Sequence, residues 1–276
     1  MAFAMQFEAI HAEQTGPALH ITLNRPESRN AMSLQMVAEL RQALQAAEAT
    51  VGQPDAVRVV VLRGAGGHFC AGADLKDMAG ARMRAMQATP GGGDPIAEVN
   101  AAFGELCVAY SRTPLAVVAV LEGTVMGGGF GLACVADVAL ASETASFRLP
   151  ETALGVVPAQ IAPFLVERLG YSQAKRLAVT GGRLDAAAAL RIGMVHAVAT
   201  TAALPAELDT VLADILACAP GALAATKALM AQARLSEPQA LVSAAAAIFS
   251  RAAQGPEGLE GMTAFIQKRK PQWAPQ

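Results

Sequence analysis

A glycine run at residues 127–131 constrains this chain more than any other feature. The residues before it, 115–121, are apolar and valine-rich, and Pro114 and Gly123 bound them, which predicts a fully buried strand. Four of the five residues in the run are glycine, and an apolar helical pattern follows. Glycine lets a backbone approach a ligand closely, and a helix N-terminus offers unpaired N–H groups. The pattern therefore predicts a site for an anion or a developing oxyanion.

One acidic residue, Glu151, follows this run within an otherwise apolar segment. Considered alone, such a carboxylate is usually a surface or helix-capping group. Its apolar neighbours, however, favour the uncharged acid, and this would bring the pKa of Glu151 closer to neutral. A general acid/base works best with such a pKa, so the neighbours are compatible with that role, and only the wider pattern of the chain, described below, favours it over a surface carboxylate.

Length and composition restrict the class of protein. The chain has 276 residues, 53% of them hydrophobic and only 16% charged, which predicts one large core with much surface buried in layers or between subunits. The net charge of −2 gives no electrostatic support for nucleic acid or anionic membrane as a partner. No apolar run reaches about 18 residues, so no membrane span is predicted. The first residues lack a basic segment, and we expect a cytoplasmic protein.

Neither the cysteines nor the histidines form a metal-binding pattern. The four cysteines are far apart, contain no CxxC pair and have apolar neighbours, which predicts reduced thiols in the core. They are Cys70, Cys107, Cys134 and Cys218. The four histidines show no ligand spacing, so no metal site is expected.

The order of predicted elements indicates an α/β core followed by a helical C-terminal part. Strands are predicted at 6–12, 17–24, 57–62, 115–121, 135–141 and 146–148, and helices at 33–49, 95–111, 159–168, 172–179, 185–191, 205–218, 220–234, 237–253 and 256–269. Ser33 is placed to cap the first helix. Residues 79–95 begin like a helix and become glycine-rich, which predicts a mobile loop or lid. We expect a core domain over 1–200 and a helical domain over 201–276.

Five segments, in this order and spacing, form one recognisable pattern. They are 21–32, the loop Phe69-Cys-Ala-Gly-Ala-Asp-Leu75, the glycines at 127–129, Leu149-Pro-Glu-Thr-Ala-Leu-Gly-Val-Val-Pro158 and the closing segment 261–269. Each alone would be weak, but together they resemble the crotonase family, the enoyl-CoA hydratase/isomerase superfamily, over nearly the whole chain. The resemblance implies an α/β fold with a ββα spiral core and a helical C-terminal trimerisation domain. It also implies a homotrimer or a hexamer of paired trimers, and an acyl-CoA thioester substrate with no separate cofactor.

The resemblance also implies site residues. The backbone N–H groups of Ala73 and Gly128 would grip the thioester carbonyl, beside Glu151 as acid/base. Donors of this kind contribute about 3–4 kcal/mol each to the stability of an enolate-like transition state. The implied CoA contacts are the backbone around Arg29, Ala71, Ala73, Asp74, Leu75 and Lys76, together with Phe265 and Lys268 of the closing helix. Lys268 and its basic neighbours are equally typical of a solvated polar tail.

Gly131 departs from the family pattern. Hydratases that use two catalytic glutamates carry the first at this position, where the present chain has no side chain. A single carboxylate can still take a proton from water and return one to the α carbon. Two groups of the superfamily use only the second glutamate. One comprises the hydratases of 3-methylglutaconyl-CoA and isohexenylglutaconyl-CoA, from leucine and acyclic-terpene breakdown, and the other the Δ3,Δ2-enoyl-CoA isomerases.

Two segments favour the hydratases. Residues 129–132 and 157–164 resemble that group, and the isohexenylglutaconyl-CoA hydratase more closely than the methylglutaconyl-CoA enzyme. The leading hypothesis is therefore a hydratase of isohexenylglutaconyl-CoA. The alternatives are a 3-methylglutaconyl-CoA hydratase, then an isomerase, and then a CoA-binding module without catalysis, which Gly131 alone supports.

These substrates carry a second carboxylate, which favours a cationic partner in the acyl site. Arg148 lies close in sequence to the catalytic segment, and Arg82 and Arg84 lie in the predicted lid. Each of the three is equally well explained as a solvated surface arginine. Gln160 could donate to the substrate or cap its helix. With Gly131, these residues are the predicted substrate positions.

Overall fold

The computed structural model describes residues 5–87 and 93–275. Its helices are α1 (Leu34–Glu48), α2 (Leu75–Gln87), α3 (Pro95–Arg112), α4 (Gly128–Cys134), α5 (Ala162–Thr180), α6 (Ala186–Arg191), α7 (Leu204–Ala217), α8 (Pro220–Ala233), α9 (Pro238–Gln254) and α10 (Pro256–Ile266). Its strands are β1 (Ile10–Thr15), β2 (Ala18–Leu23), β3 (Val59–Gly64), β4 (Ala116–Leu121), β5 (Thr124–Met126), β6 (Val138–Ser142), β7 (Ser146–Arg148), β8 (Arg183–Asp185) and β9 (Ala197–Ala199). Strands and helices mix up to β9 and helices follow it, which confirms the predicted α/β class.

The strands form two sheets. Six of them pair in the order β1-β2-β3-β4-β6-β9, with β1 antiparallel to β2 and all later pairs parallel. β5, β7 and β8 form a smaller sheet, in which β5 is parallel to β7 and β7 is antiparallel to β8. Since β5 and β7 are parallel, the segments that follow them leave the small sheet at the same edge.

Both faces of the large sheet are buried, which explains the uninterrupted apolar runs of its central strands. Successive side chains of a strand point to opposite faces. Val60 and Val117 accordingly belong to the larger core on one face, and Val59 and Val118 to the core on the other. Leu208 of α7 packs in this second core, so the first C-terminal helix covers the sheet.

A buried carboxylate joins the opening hairpin to the first helix. Ser33 caps α1 as predicted, because its side chain accepts a hydrogen bond from the backbone N of Met36. Glu39, on the buried face of α1, accepts hydrogen bonds from the backbone N–H groups of residues 8–10 at 2.8–3.1 Å. The segment before β1 is therefore bound to α1, and β1 begins at Ile10 rather than at residue 6.

The second half of the chain differs from the prediction in its short elements. The helices predicted at 159–168 and 172–179 are one helix, α5, kinked at Gly170, where φ is 71°. The sequence does not predict β8 or β9, because three residues are too few to show an alternation. The predicted lid at 79–95 falls on most of α2 and the start of α3, and its residues 88–92 lie outside the described ranges.

The helical C-terminal part packs closely on the core. α7 contacts β6 and β9, and the Arg58 guanidinium donates to the carbonyls of Leu216 at 3.0 Å and Trp273 at 2.7 Å. The predicted boundary at residue 200 falls between β9 and α7, within one packed unit. No single described helix has the length and apolar character of a membrane span, and α7 and α8 meet that test only as a pair bent by 98°.

Three of the four cysteines lie in the core as predicted. Cys70, Cys107 and Cys134 are buried, and burial raises the pKa of the Cys70 thiol to about 11. Cys218 is exposed, so its assignment to the core is wrong; it ends α7 at a surface turn. Across residues 5–87 and 93–275, no three His, Cys, Asp or Glu side chains come together as a ligand set for a metal.

Candidate active site

The parallel strands β5 and β7 bring the glycine run and Glu151 together. The backbone N of Gly127 donates to the Arg148 carbonyl at 3.1 Å, directly after the Met126–Arg148 pair of the ladder. The chain then continues into α4 on one side and through Pro150 to Glu151 on the other. Two segments that are far apart in sequence therefore leave the same edge of the small sheet side by side.

The loop at residues 69–74 pairs with β5 on the side that does not face β7. Cys70 donates to the Thr124 carbonyl at 2.9 Å and accepts from the backbone N of Met126 at 2.9 Å. This parallel bridge places Gly72 next to Gly127, because a Cβ on Gly127 would lie 3.6 Å from the Gly72 Cα. The two predicted oxyanion loops are thus adjacent.

The backbone around the two predicted oxyanion amides leaves their N–H groups unused within the described residues. The Gly72 carbonyl accepts from Met32 at 2.7 Å and Asp74 donates to the Met32 carbonyl at 3.0 Å, which leaves the N–H of Ala73 between them unused. Gly128 is the first residue of α4, where an N–H has no intrahelical acceptor. Within the described ranges, neither N–H donates to a protein acceptor, so both are available to a carbonyl oxygen of a ligand.

The Glu151 carboxyl group lies beside this pair of loops. A Cβ on Gly127, whose φ is 51°, would lie 3.2 Å from Glu151 Oε1, so a side chain at position 127 would crowd the carboxylate. Glu151 Oε2 is buried and has no hydrogen-bond partner among the described residues. Burial raises the pKa of Glu151 above its ordinary value, and a hydrogen bond from its own backbone N–H opposes this only in part.

Two apolar side chains, Phe103 and Ile161, form an apolar wall against the glycine run. A Cβ on Gly131 would lie only 2.1 Å from Ile161 Cγ2, and one on Gly128 would lie 3.3 Å from the Phe103 ring. Ile161 is buried, while Phe103 is partly buried against the core. We call the region around Glu151, Gly128, Phe103 and Ile161 the acyl pocket, after the role that we propose for it below.

Ile161 therefore fills the place that a side chain at position 131 would need. Our sequence analysis did not single out Phe103 or Ile161. The sequence offered one signal. The family that this chain resembles usually carries a glycine-rich run after the glutamate, whereas this chain has Pro158-Ala-Gln-Ile161, whose side chains are larger than those of glycine. A pattern of apolar residues cannot distinguish a pocket wall from ordinary core.

Two residues of the segment that follows β2, Arg25 and Arg29, bind the loop at residues 69–74. Ala71 donates to the Arg29 carbonyl at 2.9 Å, and Asp74 forms an ion pair with Arg25 at 2.7 Å. Burial alone would raise the pKa of Asp74, but the hydrogen bonds from Arg25 and from the backbone N of Lys76 outweigh it and lower that pKa. The Asp74 side chain thus begins α2 and anchors the loop.

The structure brings together one part of the predicted CoA site. Arg29 and Ala71 share a backbone hydrogen bond, and Arg29, Ala73, Leu75 and Lys76 are exposed, so they lie on one surface. Leu75 is 79% exposed there, and the Asp74 side chain is buried beneath it. Phe265 and Lys268 lie at the end of α10, which packs against α9, and the described hydrogen bonds do not connect either residue to this surface. Phe265 is 86% exposed.

The predicted substrate residues lie in different places. Arg82 and Arg84 are exposed on α2, and the Arg84 guanidinium lies back over Gly80 of its own helix. Arg148 points to the face of the small sheet opposite Phe147, the residue that packs on Phe130 of α4. Gln160 Nε2 donates to Asn100 Oδ1 of α3 at 2.9 Å.

Comparison with known proteins identifies the family of the chain. The family model for enoyl-CoA hydratase/isomerase matches residues 13–276. The chain belongs to the enoyl-CoA hydratase/isomerase family. An enoyl-CoA isomerase/hydratase of Mycosarcoma maydis is 31% identical, over 94% of this chain and 93% of the relative. This membership confirms the crotonase-like fold and an enzyme of the hydratase/isomerase type acting on acyl-CoA thioesters.

Two solved structures are more similar in sequence. An enoyl-CoA hydratase/isomerase from Marinobacter aquaeolei is 50% identical, with a TM-score of 0.90 over 97% of this chain and 99% of its own. AtuE of Pseudomonas aeruginosa is also 50% identical, with a TM-score of 0.90 over 97% of this chain and 100% of its own. The whole chain therefore shares its architecture with enzymes of this family.

Proposed function

We propose that this protein hydrates a carboxylated, 3-branched enoyl-CoA, with isohexenylglutaconyl-CoA as the preferred substrate. The observation that carries the proposal is the asymmetry of the acyl pocket. Glu151 presents a buried oxygen that has no hydrogen-bond partner among the described residues, whereas Ile161 occupies the space that a side chain at position 131 would need. The pocket thus supports chemistry by one carboxylate rather than a pair.

In the proposed reaction, Ala73 and Gly128 donate their N–H groups to the thioester carbonyl oxygen. Glu151 takes a proton from a water molecule, and the resulting hydroxide oxygen bonds to the β carbon. The electron pair of the double bond moves through the α carbon onto the carbonyl oxygen, where the two N–H groups stabilise the enolate. Protonated Glu151 then returns its proton to the α carbon, which completes the addition of one water.

The free oxygen of Glu151 favours this role. A carboxylate that must hold a water and exchange a proton needs an oxygen that is not bound within the protein, and Oε2 meets this condition in the described structure. Burial raises the pKa of Glu151, so the carboxyl group gives up and regains a proton more evenly than an exposed glutamate.

Three alternatives use the same site. 3-Methylglutaconyl-CoA differs only in the shorter branch at the β carbon. An isomerase would move one proton between the α and γ carbons with Glu151 alone, and the relative from Mycosarcoma maydis carries both activities in its name. A CoA-binding module without catalysis would not require a carboxylate oxygen that lacks a hydrogen-bond partner among the described residues, as Glu151 Oε2 does.

The remaining parts of the proposal concern binding and assembly. Coenzyme A enters as part of the substrate, over the surface formed by Arg29 and residues 71–76, and no separate cofactor is required. Arg148, Arg82 and Arg84 remain the predicted cationic partners of the second carboxylate. We propose a homotrimer or hexamer in the cytoplasm, and the exposed apolar side chains of α9 and α10 favour such an assembly. They include Phe249, Leu259 and Phe265.

The test is a substrate panel with product analysis. Isohexenylglutaconyl-CoA, 3-methylglutaconyl-CoA, crotonyl-CoA and a 3-enoyl-CoA are incubated with the enzyme and with Glu151→Gln. Loss of the conjugated thioester absorbance is followed, and the products are weighed by mass spectrometry. We expect a product heavier by one water, a higher kcat/KM for the isohexenyl substrate, and loss of both signals in the variant.

Each other outcome selects an alternative. A higher kcat/KM for 3-methylglutaconyl-CoA would move the assignment to the shorter branch. Conversion of the 3-enoyl-CoA without any hydrated product would establish the isomerase. Tight CoA binding with no turnover of any substrate would leave only the binding module.

A further inference from the structure

Two amide side chains beside the acyl pocket are locked to each other. Gln160, just before α5, donates from Nε2 to Asn100 Oδ1 on α3 at 2.9 Å, and both residues are half-buried. This bond fixes the orientation of the Asn100 amide. Its oxygen faces Gln160, so its Nδ2 points away from the bond.

The pair adjoins the apolar wall of the pocket through both of its chain segments. Phe103 lies one helical turn along α3 from Asn100 and covers Gly128. Ile161, directly after Gln160, fills position 131. The amides therefore lie next to the residues that would surround the β carbon of a bound acyl group.

The chain keeps space for the Gln160 amide. A Cβ on Gly104, one turn beyond Asn100, would lie 2.1 Å from Gln160 Oε1. Gln160 thus lies across α3 at a residue without a side chain, and any larger residue there would displace it. Its position is determined by α3 as well as by its own segment.

The pair has unused donors. Asn100 Nδ2 and the second hydrogen of Gln160 Nε2 donate to no other side chain or carbonyl in residues 5–87 and 93–275. The Asn100 amide nitrogen is not among the buried side-chain atoms that lack a partner, so it is open to solvent and to an acceptor on a ligand. The thioester carbonyl already has the N–H groups of Ala73 and Gly128. A second acceptor on the acyl group would fit the amide donors, and a carboxylate, which only accepts, fits best.

We propose that Asn100 and Gln160 bind the second carboxylate of the substrate, which branches beside the reacting double bond. This inference rests on the proposed hydration of a carboxylated enoyl-CoA. The pair differs from the three predicted arginines in position. Arg82 and Arg84 are exposed on α2 and Arg148 ends β7 of the small sheet, whereas Asn100 and Gln160 belong to the segments that carry Phe103 and Ile161.

The test compares two ligands that differ in one carboxylate. Glutaryl-CoA and butyryl-CoA are titrated by calorimetry into the wild type and into Asn100→Asp. The aspartate retains the acceptor for Gln160 Nε2 but replaces the free donor with a negative charge. We expect the preference for glutaryl-CoA, expressed as the ratio of the two Kd values, to fall at least about tenfold.

Gln160→Glu places the same charge on the segment before α5 and should also lower the ratio. It serves as the second test if Asn100→Asp does not fold. Gln232→Glu, exposed on α8, is the matched control for added charge and should change the ratio less than about twofold. Gly104→Ala keeps both amides but displaces Gln160, and should lower the ratio by a smaller factor.

An unchanged ratio in folded Asn100→Asp and Gln160→Glu would overturn the inference and leave the pair as a link between α3 and α5. Because binding is measured without turnover, this result is distinguishable from failure of the proposed reaction. If the wild type binds glutaryl-CoA preferentially through this pair but hydrates nothing, the carboxylate site stands and the hydratase does not.

Discussion

Glu39 is a buried carboxylate and Glu151 a half-buried one, and the two have opposite surroundings. Each oxygen of Glu39 accepts two hydrogen bonds, three of the four coming from the backbone of residues 8–10 and one from Gln35. Glu151 Oε2 is buried without a partner in the described part of the chain. A carboxylate with every acceptor position used holds its neighbours in place. One with an oxygen left over is available to water or substrate.

The difference separates a structural acid from the proposed catalytic one without reference to relatives. Glu39 is the more deeply buried, at 4% exposure, yet burial alone does not indicate a role. What distinguishes Glu151 is an oxygen without a hydrogen-bond partner among the described residues, beside the loops that carry Ala73 and Gly128. The predictions below test this distinction.

The largest expected effect concerns turnover. Glu151→Gln should lower kcat about 10²–10⁴-fold, because the amide cannot accept the proton of the attacking water. Glu39→Gln should leave kcat per folded molecule within about twofold, since Glu39 bonds to residues 8–10 and Gln35, which lie outside the candidate site. Steady-state kinetics well below the melting temperatures check both. A comparable loss of kcat in the two variants would contradict the comparison.

The second expected effect concerns stability. Glu39→Gln should lower the free energy of unfolding by about 2–3 kcal/mol, because the amide nitrogen would face backbone N–H groups and leave buried donors unsatisfied. Glu13→Gln is the matched control, since Glu13 is exposed on β1, and should change it by less than about 0.5 kcal/mol. Urea unfolding measures both. If Glu39→Gln matches the control, the four hydrogen bonds do not fix the hairpin.

A smaller effect on stability is expected at Gly131, where Ile161 packs against the glycine run. Gly131→Ala should cost about 1–2 kcal/mol in unfolding free energy, because the new methyl group would lie 2.1 Å from Ile161 Cγ2. Gly80→Ala, in α2, meets only a flexible arginine at 3.7 Å and should be stabilising by about 0.5–1 kcal/mol. A neutral Gly131→Ala would show that the wall can yield and that a second carboxylate could be accommodated there.

The sequence predicted the α/β class because that class depends on local patterns. The apolar run at 115–121 and the glycine run at 127–131 are visible in any single chain, and they locate β4 and the start of α4. Phe103, Asn100 and Ile161 could not be predicted. Their roles depend on how α3 and the segment before α5 pack against α4, and no periodicity records that contact.

Cys218 and Gln160 show the same limit from two sides. Cys218 has apolar neighbours in sequence, yet it is exposed, because those neighbours face the sheet while the cysteine ends the helix. Gln160 could have capped its own helix, but its amide bonds to α3 instead. Sequence shows which residues are available, and tertiary packing determines their partners.

The smallest effect is the sharpest test of the comparison, because replacing the two glutamates by glutamine should change the melting temperature at neutral pH in opposite directions. Burial raises the pKa of Glu151 in the folded state, so the fold favours the protonated form. The resulting stabilisation is fully present below the unfolded pKa, about 4.3 for glutamate, and is lost as the pH rises through the raised folded value. Above that value, the wild type keeps an ionised group in an apolar setting.

Glu151→Gln resembles the protonated acid at every pH. It should therefore melt at a higher temperature than the wild type at neutral pH, and the difference should shrink towards zero once the pH falls below the unfolded pKa. Glu39→Gln should melt at a lower temperature than the wild type at neutral pH, for the reason given above. Calorimetric melting across this pH range measures both variants. A lower melting temperature for Glu151→Gln at neutral pH would mean that the ionised carboxylate has a stabilising partner in the fold, and Glu151 would then be a second Glu39.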